Sequence, residues 1–382
     1  MIEPVLVTGG TGVIGRALLR RLLADGRKVR ALARSDTSED AVAALGAEAV
    51  RGDVLDLGSL TEAMRGCSTV FHVAGVNAMC LRDPSDMMRT NVEGSATVVR
   101  AAADARVRRV VYTSSSSAIG EPRHAVGRED SPHRGSYLSA YERSKHHAER
   151  RVFELARSLD VAVVSVNPSS VQGPGRATGS ARLLLEVVNG RLPVLVDTTI
   201  SLVDIEDCAR GHVLAETRGT RGERYLLSGA SLTTREAVDL LDRIWGLPRK
   251  VRFAPGWVAT VGGEIAWVGA RALRRDATLC PEAVRTLLHG HRYDGSRAAR
   301  ELGLRYTPVE TTLRRTLEWC EERGLVPPAA RTGRIARWRS VPTATSPWSS
   351  SGSPRRRRSP PADGWAGATR SPPIRPRSTR CA

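Results

Sequence analysis

The 382-residue sequence has little lysine, few aromatic residues and no closely spaced cysteines. Lysine occurs only at Lys28, Lys145 and Lys250 among 58 basic residues, a bias typical of GC-rich coding sequences. The six cysteines form no CxxC pair, and none lies beside a histidine at the spacing of zinc ligands. We therefore predict no metal site, and scattered, reduced thiols in a cytoplasmic protein.

A long uninterrupted apolar segment is also missing. The most apolar stretch, residues 257–273, contains Glu264 and Arg271 and is too short for a membrane span. We predict that it forms an amphipathic cap over a substrate pocket, with weak membrane contact as the alternative. No signal peptide is expected, because the first strand pattern begins at Val5.

The positive charge is unevenly distributed. A formal net charge of +18 alone would suggest a nucleic acid or an acidic membrane as partner. Residues 331–382, however, contain twelve arginines and one acid, Asp363, and so carry +11 of that charge. The rest of the chain lacks an evident basic stripe, and we expect no nucleic-acid partner.

The composition changes near residue 330, after which Arg, Ser and Pro are abundant. Too few apolar residues remain to offset the entropy of ordering, so we predict that 330–382 is a disordered basic tail. Two interpretations stay open. The tail binds an anionic surface or a partner, or it is an extension without function.

Strand and helix patterns alternate through the first 175 residues. The strand patterns cover residues 5–7, 28–33, 48–51, 69–73, 109–113 and 161–167, and the helical patterns cover 15–24, 41–45, 60–64, 91–105 and 141–159. Such alternation predicts an α/β fold with a doubly wound parallel sheet between two layers of helices. After residue 175 the pattern loosens into a smaller, mixed region.

A glycine turn joins the first strand to the first helix. Gly9, Gly12 and Gly15 have GxxGxxG spacing, which allows a tight turn, close approach of a pyrophosphate, and close packing of helix on sheet. Because the turn lies within a strand–helix–strand unit, it predicts a Rossmann site for a nicotinamide dinucleotide. The predicted contacts in this turn are Gly9, Thr11, Gly12, Val13, Ile14 and Gly15. We predict a Rossmann domain over 1–175 and a substrate-binding region over 176–329, and continuation of the sheet into the second region stays open.

The end of the second strand indicates which dinucleotide is bound. An acid at this place would hold the 2′-hydroxyl of NAD, but the sequence has Ala33 followed by Arg34. A guanidinium can pair with the 2′-phosphate of NADP. We therefore favour NADP, with Arg34 as a contact. NAD stays an alternative, because the acid Asp36 is close by in the sequence.

Tyr141 and Lys145 are four residues apart in a helical pattern and share one face. An adjacent ammonium stabilises the phenolate of a tyrosine and brings its pKa toward the working range of an acid–base catalyst. A serine run, Ser114 to Ser117, follows the strand at 109–113, where a hydroxyl can hold a substrate oxygen.

Eight motifs in order now resemble the extended short-chain dehydrogenase/reductase family, also called the NAD-dependent epimerase/dehydratase family. They are TGGTGVIG (8–15), GDVLD (52–56), FHVAG (71–75), NVEG (91–94), YTSSSSAIG (112–120), YERSK (141–145), NPSSVQGPG (167–175) and LVDIEDCA (202–209). The resemblance covers residues 1 to about 325. The second strand and the C-terminal region are similar to the dihydroflavonol-reductase-like branch and to hopanoid-associated sugar epimerases.

The resemblance implies roles for the matching residues. Tyr141 would be the general acid or base, Lys145 would bind the nicotinamide ribose, and Ser115 would be the catalytic serine, with Ser114 and Ser116 as fallbacks. The further cofactor contacts implied are Asp53 and Val54 at the adenine, Val73, Ala74 and Gly75 at the ribose and diphosphate, Asn91 as support, and Pro168 and Val171 beside the nicotinamide. It also suggests a homodimer through the helices that begin near Asn91 and Tyr141.

These roles predict an oxidoreductase that moves hydride between the nicotinamide and a carbonyl or hydroxyl carbon of a small molecule. A nucleotide-sugar epimerase and a non-catalytic dinucleotide sensor are the alternatives. We expect no dehydratase activity, because Thr113 is followed by Ser114 and not by the acid that family dehydratases carry. The substrate, a small carbonyl compound or a sugar, is not specified by these motifs.

Overall fold

The structure is a computed structural model and describes residues 3–272 and 280–329. The predicted disordered tail, 330–382, lies outside the described residues. The strands are β1 (Val5–Thr8), β2 (Val29–Ala33), β3 (Glu48–Arg51), β4 (Thr69–His72), β5 (Arg109–Thr113), β6 (Val126–Gly127), β7 (Val163–Pro168), β8 (Ser170–Gln172), β9 (Val194–Val196), β10 (Thr199–Asp204), β11 (Arg224–Leu227), β12 (Ala230–Thr233), β13 (Arg252–Ala254) and β14 (Arg292–Tyr293).

Helices connect most of these strands. They are α1 (Val13–Ala24), α2 (Asp36–Ala43), α3 (Leu57–Met64), α4 (Ser85–Met88), α5 (Ser95–Asp104), α6 (Ala140–Ser158), α7 (Ser180–Val188), α8 (Ile205–Arg218), α9 (Thr234–Trp245), α10 (Gly256–Ala272), α11 (Pro281–His289) and α12 (Val309–Glu321). Short π-helical turns at Arg89–Gly94 and Ala298–Leu302 and a 3₁₀ turn at Ser116–Ile119 complete the described elements.

The central sheet has seven parallel strands in the order β11-β7-β5-β4-β1-β2-β3. The chain runs outward from β1 to β3 and then returns to β4 on the other side of β1. A crevice therefore opens at the carboxyl ends of β1 and β4, where such folds bind ligands. The predicted doubly wound α/β fold is confirmed.

Both faces of the sheet are buried, which explains the continuous apolar run of β1. Val5 and Val7 contribute to the core beneath α1 and α8, whereas Leu6 points to the opposite core beneath α3, α5 and α6. This alternation is the two-residue period of a strand. The seventh strand, β11, pairs with β7, so the sheet does continue past residue 175, as the sequence left open.

Two element boundaries differ from the sequence pattern for local reasons. The helix expected at residue 41 begins at Asp36, because Ser35 and Ser38 form a capping box ahead of the apolar residues. The helix expected from Asn91 to Ala105 is a π-helical turn over Arg89–Gly94 followed by α5. The wider turn places Asn91 on the inner side, where it is buried.

The region after residue 175 packs a third core around α9 and α12, with Leu240, Trp245 and Leu317 at its centre. Helix α10, the predicted cap, leaves Trp257 and Ile265 each 68% exposed. Its role as a cap stays a prediction. Within residues 3–272 and 280–329, the length and hydropathy of every helix fall short of what a membrane crossing requires.

Candidate functional site

The glycine turn has the geometry that its sequence predicts. Gly9 has φ +72°, and a Cβ at this position would lie 2.6 Å from the backbone nitrogen of Ala74. A Cβ on Gly15 would lie 2.1 Å from the carbonyl oxygen of Gly9. Any larger residue at either position would push the turn away from the sheet or the helix.

The amino end of α1 faces a cavity of about 870 Å³. Gly12 caps the helix without a side-chain hydrogen bond, so the first backbone N–H groups stay available to a ligand. Together with the helix dipole they make a site for phosphate groups. All six predicted turn residues line the cavity: Gly9, Thr11, Gly12, Val13, Ile14 and Gly15.

The far end of the cavity is lined by Arg34, Asp53 and Val54, the residues predicted to contact the adenosine side of a dinucleotide. The Arg34 guanidinium is 71% exposed and lies 3.9 Å from the Asp53 carboxylate. The other Asp53 oxygen accepts a hydrogen bond from the backbone nitrogen of Leu55 at 2.9 Å. Asp53 is thereby oriented, while Arg34 can reach a ligand.

Two further hydroxyls, those of Ser35 and Ser38, line the same end of the cavity at the start of α2. The sequence analysis did not assign them to the site. Asp36 was the residue for which NAD stayed an alternative. Its carboxylate lies 2.8 Å from the Arg51 guanidinium, and Asp36 is not among the described lining residues. The cavity wall here offers hydroxyl and guanidinium groups.

A buried network behind the glycine turn escaped the sequence analysis. Thr8 and His72 are joined by a 2.7 Å hydrogen bond, and His72 and Ser95 by one of 2.9 Å. The Thr8 hydroxyl also accepts from the backbone nitrogen of Ala74 at 3.2 Å. Burial lowers the pKa of His72 to about 3, with a smaller contribution from Lys145, so the ring is neutral and holds the loop after β4 in place.

At the other end of the cavity, α6 presents Tyr141 and Lys145 side by side. Helix α6 begins after Ser139, whose hydroxyl accepts from the backbone nitrogen of Glu142. The Lys145 ammonium donates to the carbonyl of Thr113 at 2.9 Å, at the end of β5. Burial lowers the pKa of Lys145 to about 8, and the Glu149 carboxylate opposes that shift.

Among the three candidate serines, Ser115 is the one that affects Tyr141. Burial raises the pKa of Tyr141, and a hydrogen bond with Ser115 and the positive charge of Arg176 act in the opposite direction. The Ser115 hydroxyl also accepts from the Ser117 hydroxyl at 2.9 Å. Ser114 lines the cavity, while Ser116 is buried.

The loop after β4 is fastened by Asn91. Its side-chain oxygen accepts from the backbone nitrogen of Val76 at 2.8 Å, and its nitrogen donates to the Val76 carbonyl and the Ser144 hydroxyl, each at 2.9 Å. Val73, Ala74 and Gly75 line the cavity beside it. Asn91 itself is 1% exposed, so it positions this wall from behind.

Pro168 and Val171, expected beside the nicotinamide, are both buried and are not among the described lining residues. Pro168 ends β7 and Val171 lies in the core beside the sheet.

Arg176 lines this end of the cavity and was not foreseen, although it directly follows the NPSSVQGPG motif at 167–175. Burial lowers the pKa of its guanidinium, and Tyr141 opposes that shift.

A further buried network supports Lys145 from below. Glu149, one turn further along α6, binds Arg224 at 2.8 Å and accepts from the Asn167 side chain at 2.6 Å. Asn167 also donates to the carbonyl of Ser115 at 3.1 Å. Glu149 thus links the lysine to the serine loop, and only its i,i+4 spacing from Lys145 could have indicated this.

The prediction of scattered reduced thiols is wrong for two cysteines. Cys80 and Cys280 form a disulfide between positions 200 residues apart, with their Cα atoms 5.6 Å apart. Neither lies in a CxxC pair, so sequence spacing could not reveal the bond. Cys67, Cys208 and Cys320 are free and buried, and Cys381 lies outside the described residues.

Comparison with known proteins identifies this architecture. The model of the NAD dependent epimerase/dehydratase family matches residues 5–228. A putative dihydroflavonol 4-reductase of Synechocystis sp. is 33% identical, covering 85% of this chain and 97% of that protein. Sterol demethylase protein B of Methylococcus capsulatus is also 33% identical, covering 84% and 99%.

A similar solved structure is the dTDP-glucose 4,6-dehydratase DesIV of Streptomyces venezuelae with NAD bound. It is 25% identical with a TM-score of 0.66, and covers 84% of this chain and 98% of its own. Because a dehydratase is among these relatives, the comparisons lend no support to the expected absence of dehydratase activity.

Proposed function

The chain belongs to the NAD dependent epimerase/dehydratase family, and on that premise we propose that it is an NADP-dependent reductase or dehydrogenase of small carbonyl compounds. The observation that carries the proposal is that Tyr141 and Lys145 line one end of a cavity whose other end is the glycine turn. Ser115 is not among the described lining residues but is hydrogen-bonded to Tyr141. The residues of this cavity fit a dinucleotide along its whole length.

A bound nicotinamide would supply hydride transfer to the carbonyl carbon. Tyr141 then donates its phenolic proton to the oxygen that becomes an alkoxide, and Ser115 donates a hydrogen bond to the same oxygen. The Lys145 ammonium would bind the nicotinamide ribose and, together with the Arg176 guanidinium, would stabilise the resulting phenolate. In the oxidative direction each proton movement is reversed.

The preference for NADP rests on the adenosine end. Arg34 is exposed toward the cavity and two serine hydroxyls lie beside it, while Asp36 is paired with Arg51. A 2′-phosphate would find a guanidinium and the amino end of α2 there. Among the described lining residues the only carboxylate is that of Asp53, which accepts a hydrogen bond from the backbone nitrogen of Leu55.

Two other functions of the same site follow from the same residues. A sugar epimerase would use Tyr141 and Lys145 with a tightly held cofactor, and a dinucleotide sensor would bind without turnover. Dehydratase activity is disfavoured by Ser114 and Ser115, which stand where an acid would be needed for elimination. Residues Pro168 and Val171 remain the proposed neighbours of the nicotinamide.

Incubation with deuterium-labelled NADPH and a panel of ketones, aldehydes and nucleotide sugars tests the proposal. We expect deuterium on the carbinol carbon of a reduced product, measured by mass spectrometry. Inversion of a sugar without net consumption of NADPH would establish the epimerase instead. Saturable binding of NADPH without conversion of any compound would favour the sensor.

A cytoplasmic location and a homodimer through α5 and α6 stay predictions. An open groove of about 1080 Å³ runs along these two helices and is lined by charged residues of both signs.

A further inference from the structure

A cluster of one acid and two histidines lies apart from the dinucleotide cavity. Glu121 follows Gly120 at the end of the serine loop, His289 is the last residue of α11, and His291 lies between α11 and β14. The two parts of the cluster are 168 residues or more apart in the chain. None of the three residues lines the described cavity.

The donor atoms of the cluster are arranged as metal ligands. The Glu121 carboxylate lies 2.7 Å from Nδ1 of His291 and 3.8 Å from Nε2 of His289. One ligand atom from each residue lies within 4.8 Å of the other two. Ligand atoms of a tetrahedral zinc ion are about 3.4 Å apart, so an ion needs shifts of less than about 1.5 Å.

Two of these buried residues each carry a polar atom without a hydrogen-bond partner among the described residues. Glu121 is 1% exposed and His289 is 9% exposed, yet within residues 3–272 and 280–329 neither Oε2 of Glu121 nor Nε2 of His289 has a hydrogen-bond partner. Leaving a buried polar atom unpaired costs about 1–3 kcal/mol. A cation bound by both groups would satisfy both atoms at once.

The charges around the cluster favour a cation. The guanidinium of Arg134 pairs with the Glu142 carboxylate and donates to the backbone carbonyl of Glu121 at 3.1 Å. The Glu121 carboxylate supplies the negative charge of the cluster itself. The Tyr293 hydroxyl lies 3.1 Å from Nδ1 of His291 and is within reach of a metal-bound water.

We propose that Glu121, His289 and His291 bind one divalent transition-metal ion, for which Zn²⁺ is the matched choice. Two imidazoles and a carboxylate are a ligand set that zinc uses, and a water or the Tyr293 hydroxyl completes four-coordination. The ion would join the loop that carries Ser115 to the chain entering β14. This site is independent of the dinucleotide and of the reaction proposed above.

Metal content of the full-length protein tests the site. The protein is loaded with Zn²⁺ without reductant, desalted and measured by inductively coupled plasma mass spectrometry. We expect about one zinc per chain, at least a tenfold loss of affinity in Glu121→Gln and His291→Gln, and no loss in His147→Gln, which alters an exposed histidine of α6. Zinc that persists in Glu121→Gln and His291→Gln would overturn the proposal.

A second donor group requires its own control. Cys80, Cys280 and Glu282 also lie close enough together to hold an ion if the disulfide is reduced. Zinc binding should survive in Cys280→Ser. Loss of zinc in that variant, with retention in His291→Gln, would place the metal at the cysteines and overturn the proposal.

Cobalt substitution of the unaltered protein keeps the test decisive even if a variant fails to fold. Bound Co²⁺ should give the visible bands of a four- or five-coordinate ion without the ultraviolet charge-transfer band of a thiolate ligand. Zn²⁺ should also raise the melting temperature of the unaltered protein. A protein that takes up neither ion, or a cobalt spectrum with a thiolate band, would contradict the assignment.

Discussion

The two ends of the cavity are built from contacts of different range. The phosphate end is made by residues 9–15, within a single turn between a strand and a helix, and its groups are largely backbone N–H. The acid–base end combines Thr113, Tyr141 and Arg176 from three separate segments, with Ser115 hydrogen-bonded to Tyr141. Backbone groups in one turn tolerate substitutions that keep the turn, whereas the acid–base end depends on individual side chains.

Outside the cavity, two further contacts join residues that are far apart in the chain. The disulfide Cys80–Cys280 joins the loop after β4 to the start of α11, and Glu121 meets the histidines that end the same helix. Both contacts fasten the C-terminal region to the loops at the carboxyl edge of the sheet. The phosphate end depends on one local turn, whereas the C-terminal region is joined to these loops by contacts between residues far apart in the chain.

The largest effect should come from the acid–base end. Tyr141→Phe removes the proton donor, and we expect turnover to fall by about 10²–10⁴-fold, the usual contribution of a positioned acid–base group. NADPH binding, followed by fluorescence, should change little because the phosphate end is untouched. Tyr137→Phe removes a phenol just before the same helix and should retain activity. Normal turnover in Tyr141→Phe would refute the assignment.

The next largest effect tests the long-range disulfide. Replacing both partners, as in Cys80→Ser with Cys280→Ser, should lower the free energy of unfolding by up to about 5 kcal/mol, since closure of a 200-residue loop constrains the unfolded chain. Denaturant unfolding measures this change. Reductant should destabilise the unaltered protein and leave the double variant unaffected. Equal stability with and without reductant would show that the bond makes no contribution.

Features made by residues close together in the chain could be predicted from the sequence, whereas contacts between distant residues could not. The glycine turn and the Tyr141–Lys145 pair are local patterns, so their residues could be predicted together with the alternating fold. Arg176 could not be assigned, because only the folded loop brings it to Tyr141. The disulfide and the Glu121 cluster join residues more than 160 positions apart, and no local pattern encodes such a meeting.

A smaller effect should appear at the adenosine end. Arg34→Ala should lower kcat/KM for NADPH by about 10–100-fold, as expected for loss of a hydrogen bond to a charged phosphate, and should change the value for NADH little. Steady-state kinetics with both cofactors provide the comparison. Arg20→Ala, on the exposed side of α1, is the control. If both cofactors were affected equally, Arg34 would not read the 2′-phosphate.

The smallest expected effect concerns the influence of Glu149 on the pKa of Lys145. The positive charge of Lys145 is present below its pKa of about 8 and is lost as the pH rises through that value. The Glu149 carboxylate raises this pKa, so Glu149→Gln should lower it and move the basic limb of the kcat/KM profile to lower pH, by roughly one unit or less.

The control for this shift is Glu154→Gln, which removes a half-exposed carboxylate from the same helix. Its pH profile should match that of the unaltered enzyme, because the charge is screened by solvent. A purely structural role of Glu149, through Arg224 and Asn167, would lower activity at all pH values without moving the limb. If the basic limb of the kcat/KM profile does not move in Glu149→Gln, the Glu149 carboxylate does not set the pKa of Lys145. The acid–base end would then depend on Tyr141, Ser115 and Arg176 alone.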